Sequence, residues 1–181
     1  MTQRIFGVAG WKNSGKTTLV EKLVSELSAR GYQVATVKHA HHSFDIDHEG
    51  TDSFRHRAAG AREVAIVSGR RWALVHEIGE MEDEPGLADI LARLSPSDLV
   101  IVEGYKRDHH KKIEVRRRDA RHRAPLAPGD PTIVAIAADH PIKDAGLPVF
   151  DLDDVGAIAD FVVSECGLDS PVDSGPPERN T

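Results

Sequence analysis

The sequence predicts an α/β fold, a largely parallel sheet flanked by helices with an antiparallel β-hairpin added at an edge. Three observations carry this. A short apolar segment, Ile5 to Ala9, runs straight into a glycine-rich turn and then a helical pattern. Two continuous apolar runs, LVIV at 99–102 and TIVAIA at 132–137, read as strands buried on both faces, as parallel strands are. Finally, EVAIVS at 63–68 and WALVHE at 72–77 flank Gly69-Arg70-Arg71 as the arms of a hairpin.

The turn after the first strand is Gly10-Trp11-Lys12-Asn13-Ser14-Gly15-Lys16-Thr17, followed by Thr18. It fits G-x-x-x-x-G-K-S/T, the phosphate-binding loop of nucleoside triphosphatases, so the expected fold is P-loop NTPase-like. Gly10 and Gly15 allow backbone conformations closed to other residues, turning consecutive N–H groups towards phosphate oxygens. The positive end of the following helix adds to that field. Lys16 is expected to reach the β- and γ-phosphates and the Thr17 hydroxyl to ligate Mg²⁺. The plainer alternative is a glycine-bearing β–α turn with a surface lysine. The strand before it and the helix after it favour the phosphate loop.

That helix is expected over Lys16 to Arg30, with Leu19, Val20, Leu23, Val24 and Leu27 on one stripe and Gly31 at its stop. QVATVK at 33–38 alternates as a second strand, which makes a right-handed βαβ unit. A polar stretch rich in histidine follows, from Lys38 to Gly50. Three readings stay open for it: a switch-like loop with Asp45 or Asp47 near the metal, a solvated loop, or a metal site of His39, His41, His42 and His48. Thr51 or Asp52 caps a helix through Ala61, on which Arg55 and Arg57 are candidates for phosphate or carboxylate contacts. The hairpin that comes next leaves exposed edges, where self-association or folding back on the same sheet is expected.

Pro85 opens a helix with Leu87, Ile90, Leu91 and Leu94 on one face. The strand at 99–102 ends in Glu103, placed to hold Mg²⁺ directly or through water; capping of the next turn is the alternative. Lys106, Arg107, Lys111 and Lys112 follow, then a strand at 113–115 running into Arg116-Arg117-Arg118. These cations read either as a solvated face or as a site for a second anion. After the strand at 132–137, Asp139 is a candidate to read a guanine edge, although the usual N/T-K-x-D pattern is missing. A short strand at 148–151 leads to a helix capped by Asp153 or Asp154, with Cys166 on its packed face.

The chain has 181 residues, a net charge of −6 and one cysteine. That balance opposes a broad basic face for nucleic acid. A lone cysteine excludes an internal disulfide and suits a reducing compartment. There is no apolar run near the roughly 20 residues that span a bilayer, and the early strand leaves no room for a signal peptide. A cytoplasmic protein is expected, with one domain at 1–167 and a disordered tail at 168–181.

Taken together, GWKNSGKTTL, VKHAHHSFDID, GTDSFRHRAAGA and IVEGYK, in this order, resemble the signature blocks of the bacterial molybdopterin-guanine dinucleotide biosynthesis protein B (MobB) family. The resemblance covers roughly residues 4 to 165. It implies a homodimeric GTP-binding protein with weak GTPase activity. It also implies an adaptor role beside the nucleotidyl transferase MobA, which joins GMP to molybdopterin. On this likeness Gly10, Asn13, Ser14, Gly15, Lys16, Thr17 and Thr18 match the phosphate loop, and Thr17 and Glu103 the metal-facing positions. The second anion near Lys106, Arg107, Lys111 and Lys112 would then be molybdopterin or its guanine dinucleotide. From the residues alone, GTP and ATP both remain open. Two other activities also remain open: a small-molecule kinase with an anionic acceptor, and a metallochaperone-like GTPase using the histidine-rich loop.

Overall fold

The structure is a computed structural model that describes residues 3–40, 44–79, 81–143 and 145–170. The chain divides into two compact units. One is the stretch up to His39 together with everything from Leu91 on; the other is Ala40–Ile90.

The first unit holds a six-stranded sheet in the order β2-β5-β1-β6-β7-β8, every pair parallel. Its strands are β1 (Ile5–Ala9), β2 (Val34–Lys38), β5 (Leu99–Glu103), β6 (Lys112–Arg116), β7 (Ile133–Ala138) and β8 (Val149–Asp151). Helices α1 (Lys16–Ala29) and α4 (Val155–Cys166) pack on one face, where Leu19, Leu23 and Leu27 meet Phe6, Val8, Ile101, Ile113 and Val115. The expected stripe on α1 is therefore its buried face. Gly31, at φ 96°, ends that helix, and the Tyr32 N–H closes back on Leu27 O. Asp154 caps α4 by accepting from the Ala157 N–H at 3.1 Å.

Because successive strand residues face opposite ways, Lys112, Glu114 and Arg116 turn to the other side of the sheet. Loops lie on that face beside Glu114 and Gly7. The Leu126 and Ala127 N–H groups bond Glu114 there, and His110 crowds Gly7 so closely that an added Cβ would lie 2.5 Å from its Nε2.

The second unit contains α2 (Asp52–Ala58), the hairpin strands β3 (Glu63–Val67) and β4 (Trp72–His76), and most of the short helix α3 (Leu87–Leu91). Thr51 caps α2 through the Phe54 N–H. The predicted hairpin pairs Glu63 with His76 and Val67 with Trp72, and it forms a two-stranded sheet of its own. Both helices here stop earlier than the periodicity suggests. Gly60 at φ 100° closes the first, and the second holds only five residues. The expected tail falls almost entirely outside the described residues.

Candidate functional site

The site is assembled at the carboxyl ends of the parallel strands. Leaving β1, the chain takes three unusual conformations: Gly10 at φ 153°, Asn13 at φ 63° and Gly15 at φ 93°. At Gly10 a Cβ would come within 2.5 Å of Ser14 Oγ and 2.8 Å of Val115 O, so glycine is required by space as well as by torsion. The turn is held by the Ser14 N–H to Trp11 O at 3.2 Å, and α1 begins with the Leu19 N–H to Gly15 O at 3.0 Å. The N–H groups of Gly15, Lys16, Thr17 and Thr18 have no acceptor among the described residues. These are the unpaired donors that a helix presents at its start. Lys16 folds back over the loop, its Nζ donating to Trp11 O at 2.8 Å.

Glu103 closes the other side. It ends β5, is buried, and accepts from Thr17 Oγ1 at 2.9 Å (Oε1) and 3.2 Å (Oε2). Lys38 Nζ, at the end of β2, stands 3.7 Å from Oε2. Directly after Glu103, Gly104 (φ 99°) and Tyr105 (φ 45°) reverse the chain, and Tyr105 stacks on His39 at 4.8 Å. A non-glycine residue in the left-handed region is strained, and such strain concentrates at functional sites. Burial lowers the pKa of Lys16; Glu103 opposes this, while Lys106 and Lys38 lower it further. The pocket thus holds a partly desolvated cation with cationic neighbours, an arrangement that an anion would relieve.

The structure brings together Gly10, Ser14, Gly15, Lys16, Thr17 and Glu103; Asn13 and Thr18 are exposed at the rim of the loop. Asp139 follows β7 at the same edge of the sheet. Its Oδ1 accepts from the Arg118 N–H at 2.8 Å and lies 2.7 Å from His140 Nδ1. Of the four cations expected near a second anion, Lys106 sits 4.7 Å from the Trp11 ring centroid and Arg107 is exposed beside it. The other two are engaged elsewhere. Lys111 pairs with Glu165 at 2.8 Å, and Lys112 is fully buried against Asp108 O, Thr132 Oγ1 and Asp130.

In the second unit Arg57 bonds Asp45, Asp47 and Glu77 at once, and those bonds raise its pKa, Asp47 most. The carboxylates weighed as metal neighbours are therefore tied to this guanidinium. His41 and His42 lie outside the described residues, and among the described residues no group of three His, Cys, Asp or Glu could hold a metal ion. Glu114, which the sequence reading passed over, and Arg117, read there only as part of a cationic run, both stand beside the loop. Glu114 accepts from two loop amides, and Arg117 lies against Gly15. Strand alternation was the available signal, since it turns Arg117 to the side of Ile113 and Val115, where α1 packs.

A family model described as molybdopterin guanine dinucleotide synthesis protein B matches residues 5–139. The chain belongs to the MobB family. Among its relatives is the molybdopterin-guanine dinucleotide biosynthesis adapter protein of Escherichia coli (strain K12). It is 38% identical over 161 residues, covering 88% of this chain and 91% of the relative. The protein of the same name from Haemophilus influenzae is 36% identical over 158 residues, covering 87% and 86%. Two crystal structures share the fold. The MobB homologue of Bacillus stearothermophilus gives a TM-score of 0.65 at 29% identity, covering 91% of this chain and 99% of its own. Bacillus subtilis MobB gives 0.69 at 28% identity, covering 90% and 98%. The stretch matched to MobB contains the Gly10–Thr17 turn, Glu103 and Asp139, whereas β8 and α4 lie beyond it. No helix among the described residues is long and apolar enough to cross a membrane.

Proposed function

We propose that this chain binds GTP with Mg²⁺ at the phosphate loop, hydrolyses it slowly, and acts in the cytoplasm as an adapter to the nucleotidyl transferase MobA in forming molybdopterin guanine dinucleotide. The observation that carries the nucleotide reading is the open run of amides from Gly15 to Thr18 beside Lys16, with the Thr17 hydroxyl bonded to Glu103. The adapter reading rests on family membership and on the names of the relatives.

The donor set fits the expected ligands. Backbone N–H groups at a helix start and an ammonium suit phosphate oxygens. A hydroxyl paired with a buried carboxylate suits a hard divalent cation. Thr17 and Glu103 would hold Mg²⁺, which when bound neutralises charge on phosphate oxygens. Lys16 exchanges a carbonyl for a phosphate oxygen, a stronger charge-assisted bond. The Gly10–Ser14 packing keeps the loop preformed, so little ordering is needed on binding. Lys106 and Arg107, beside Trp11, are the part of the basic segment available to a second anion such as the pterin phosphate or the dinucleotide product.

With Arg57 held by three carboxylates, the isolated protein is proposed to turn over in the range of about 10⁻⁴ to 10⁻² per second, typical of P-loop GTPases that receive no arginine finger from a partner. A homodimer through the hairpin is supported by its exposed apolar side chains, Val67 at 75% and Trp72 at 68%. A lone two-stranded sheet is marginal in water.

Competition between GTP and ATP for the purified protein tests the reading, with Lys16→Ala as control. GTP preferred over ATP, and lost in the variant, is expected. Unchanged affinity in Lys16→Ala removes the site assignment, and equal affinity for ATP removes the guanine assignment.

A further inference from the structure

The run Arg116-Arg117-Arg118 leaves β6 at the edge where the phosphate loop stands, and its three side chains have different fates. Arg116 is neutralised by Glu114 at 2.7 Å. Arg118 is exposed. Arg117 is half-buried against the phosphate loop itself. A Cβ built on Gly15 would lie 2.8 Å from its Nε and 3.2 Å from its Cζ, so the guanidinium is in contact with the glycine that opens α1.

Arg117 forms no ion pair among the described residues, although Asp139 and Asp153 lie near enough to feel its charge. Its Nε is buried without a hydrogen-bond partner. Ser14 Oγ, in a residue only 1% exposed, is buried without a partner as well. Both residues line one small cavity of about 40 Å³ beside the loop, with Trp11, Arg116, His122 and His140 among its walls. Buried polar atoms almost always find partners, so a donor set left open beside a phosphate loop points to a ligand.

We propose that Arg117 is a phosphate-binding residue supplied in cis, its guanidinium bonding oxygens of the phosphate chain held over the loop, with Ser14 Oγ beside it. The chemistry suits the residue type. A planar guanidinium gives two parallel bonds to a phosphate and carries less hydration than an ammonium. Gly15 then has a second role, since any side chain there would push the arginine away. The inference rests on the triphosphate reading above and names a residue which that reading does not use.

The test measures binding of GTP and of inorganic tripolyphosphate, each with Mg²⁺, to the full chain and to Lys16→Ala, Arg117→Met and Arg117→Lys. The methionine keeps the apolar stem against Gly15. Arg117→Met is expected to melt as the wild type does, yet to bind both ligands about 10- to 100-fold more weakly and with a shallower salt dependence. Arg117→Lys is expected to fall between. Loss of GTP but not tripolyphosphate affinity would place the arginine on the nucleoside and overturn the proposal. Wild-type affinity in Arg117→Met, alongside loss in Lys16→Ala, would overturn it while leaving the phosphate loop standing. If Arg117→Met fails to fold, wild-type affinity in Arg117→Lys overturns it and a several-fold loss supports it. Failure of the wild type to bind either ligand would bring down both readings.

Discussion

Replacing Glu114 with alanine should be among the most damaging single changes in the first unit. The side chain is 1% exposed, and its carboxylate accepts from the Leu126 N–H at 2.8 Å, the Ala127 N–H at 2.9 Å and Arg116 Nη2 at 2.7 Å. Removing it leaves two backbone donors and one guanidinium without an acceptor. Each orphaned buried donor costs about 1 to 3 kcal/mol, and breaking a buried ion pair costs about 3 to 5 kcal/mol. These contributions overlap, because the 124–130 loop can open to water and Arg116 can swing outward, so a loss of about 3 to 4 kcal/mol is expected. With a urea m-value of about 2 kcal/mol/M, the midpoint should fall by about 1.5 to 2 M.

Glu114→Gln keeps one carbonyl acceptor but turns an NH₂ group towards donors, and should cost about half as much. Urea titration followed by far-ultraviolet circular dichroism measures both. The emission of Trp11, whose Nε1–H donates to Ala124 O at 2.8 Å, reports whether the loop loosens first. A midpoint shift under about 0.5 M for Glu114→Ala would refute the reasoning, since it would mean that the three donors find water at no cost.

Glu103→Gln should retain GTP binding within a few-fold while losing most of the Mg²⁺ dependence, because the amide still accepts from Thr17 but no longer offers a charge; an unchanged Mg²⁺ titration argues against Glu103 as a metal-facing group. His110 gives a pH signature. Burial, with Lys112 next, pushes its pKa down from 6.5 to about 4, against the weaker pull of Asp108 and Asp130. The unfolded chain therefore binds the proton more tightly, so the contribution of His110 to stability should be full above about pH 6.5, fall between pH 6.5 and 4, and level off below. His110→Gln should flatten that slope in urea titrations at pH 7, 5.5 and 4.5, and an equal slope in both proteins contradicts the assignment.

The sequence carries the conformation of the Gly10–Thr17 turn almost completely, because its requirements are local. Two glycines with positive φ, a lysine and a hydroxyl must sit within eight residues of a strand, and the stripe of leucines after them fixes which way α1 faces. What covers the far side of the sheet is not local. KIEVR at 112–116 alternates like a strand with one wet face, yet Lys112 and Glu114 are both fully buried. Their burial depends on loops 104–111 and 124–130, whose paths follow from no periodic pattern. For the same reason the cations at 111 and 112 look available in the sequence but are already bonded to Glu165, Thr132 and Asp130 in the fold. The early stops of α2 and α3 follow a related logic. Short helices gain little from propensity and end where packing stops rewarding them.

Partner choice among the basic residues then accounts for how a chain of net charge −6 can still gather unneutralised cations at one edge of its sheet. Carboxylates neutralise several of the arginines and lysines one by one: Arg30 by Glu26 and Asp160, Arg57 by three acids, Lys111 by Glu165, Arg116 by Glu114. Around the Gly10–Thr17 turn this pairing runs short. Lys16 has a backbone carbonyl as its hydrogen-bond partner, Lys106 lies over an indole ring, and Glu103 is shared between Lys16 and Lys38. A cationic cluster of this kind raises the energy of the apo fold, and burial of Lys16 adds to it. An anion carrying several charges reverses the sign of each of these interactions at once. The same arrangement that costs stability without ligand therefore becomes affinity with it, so the ligand should raise the melting temperature in proportion to how tightly it binds.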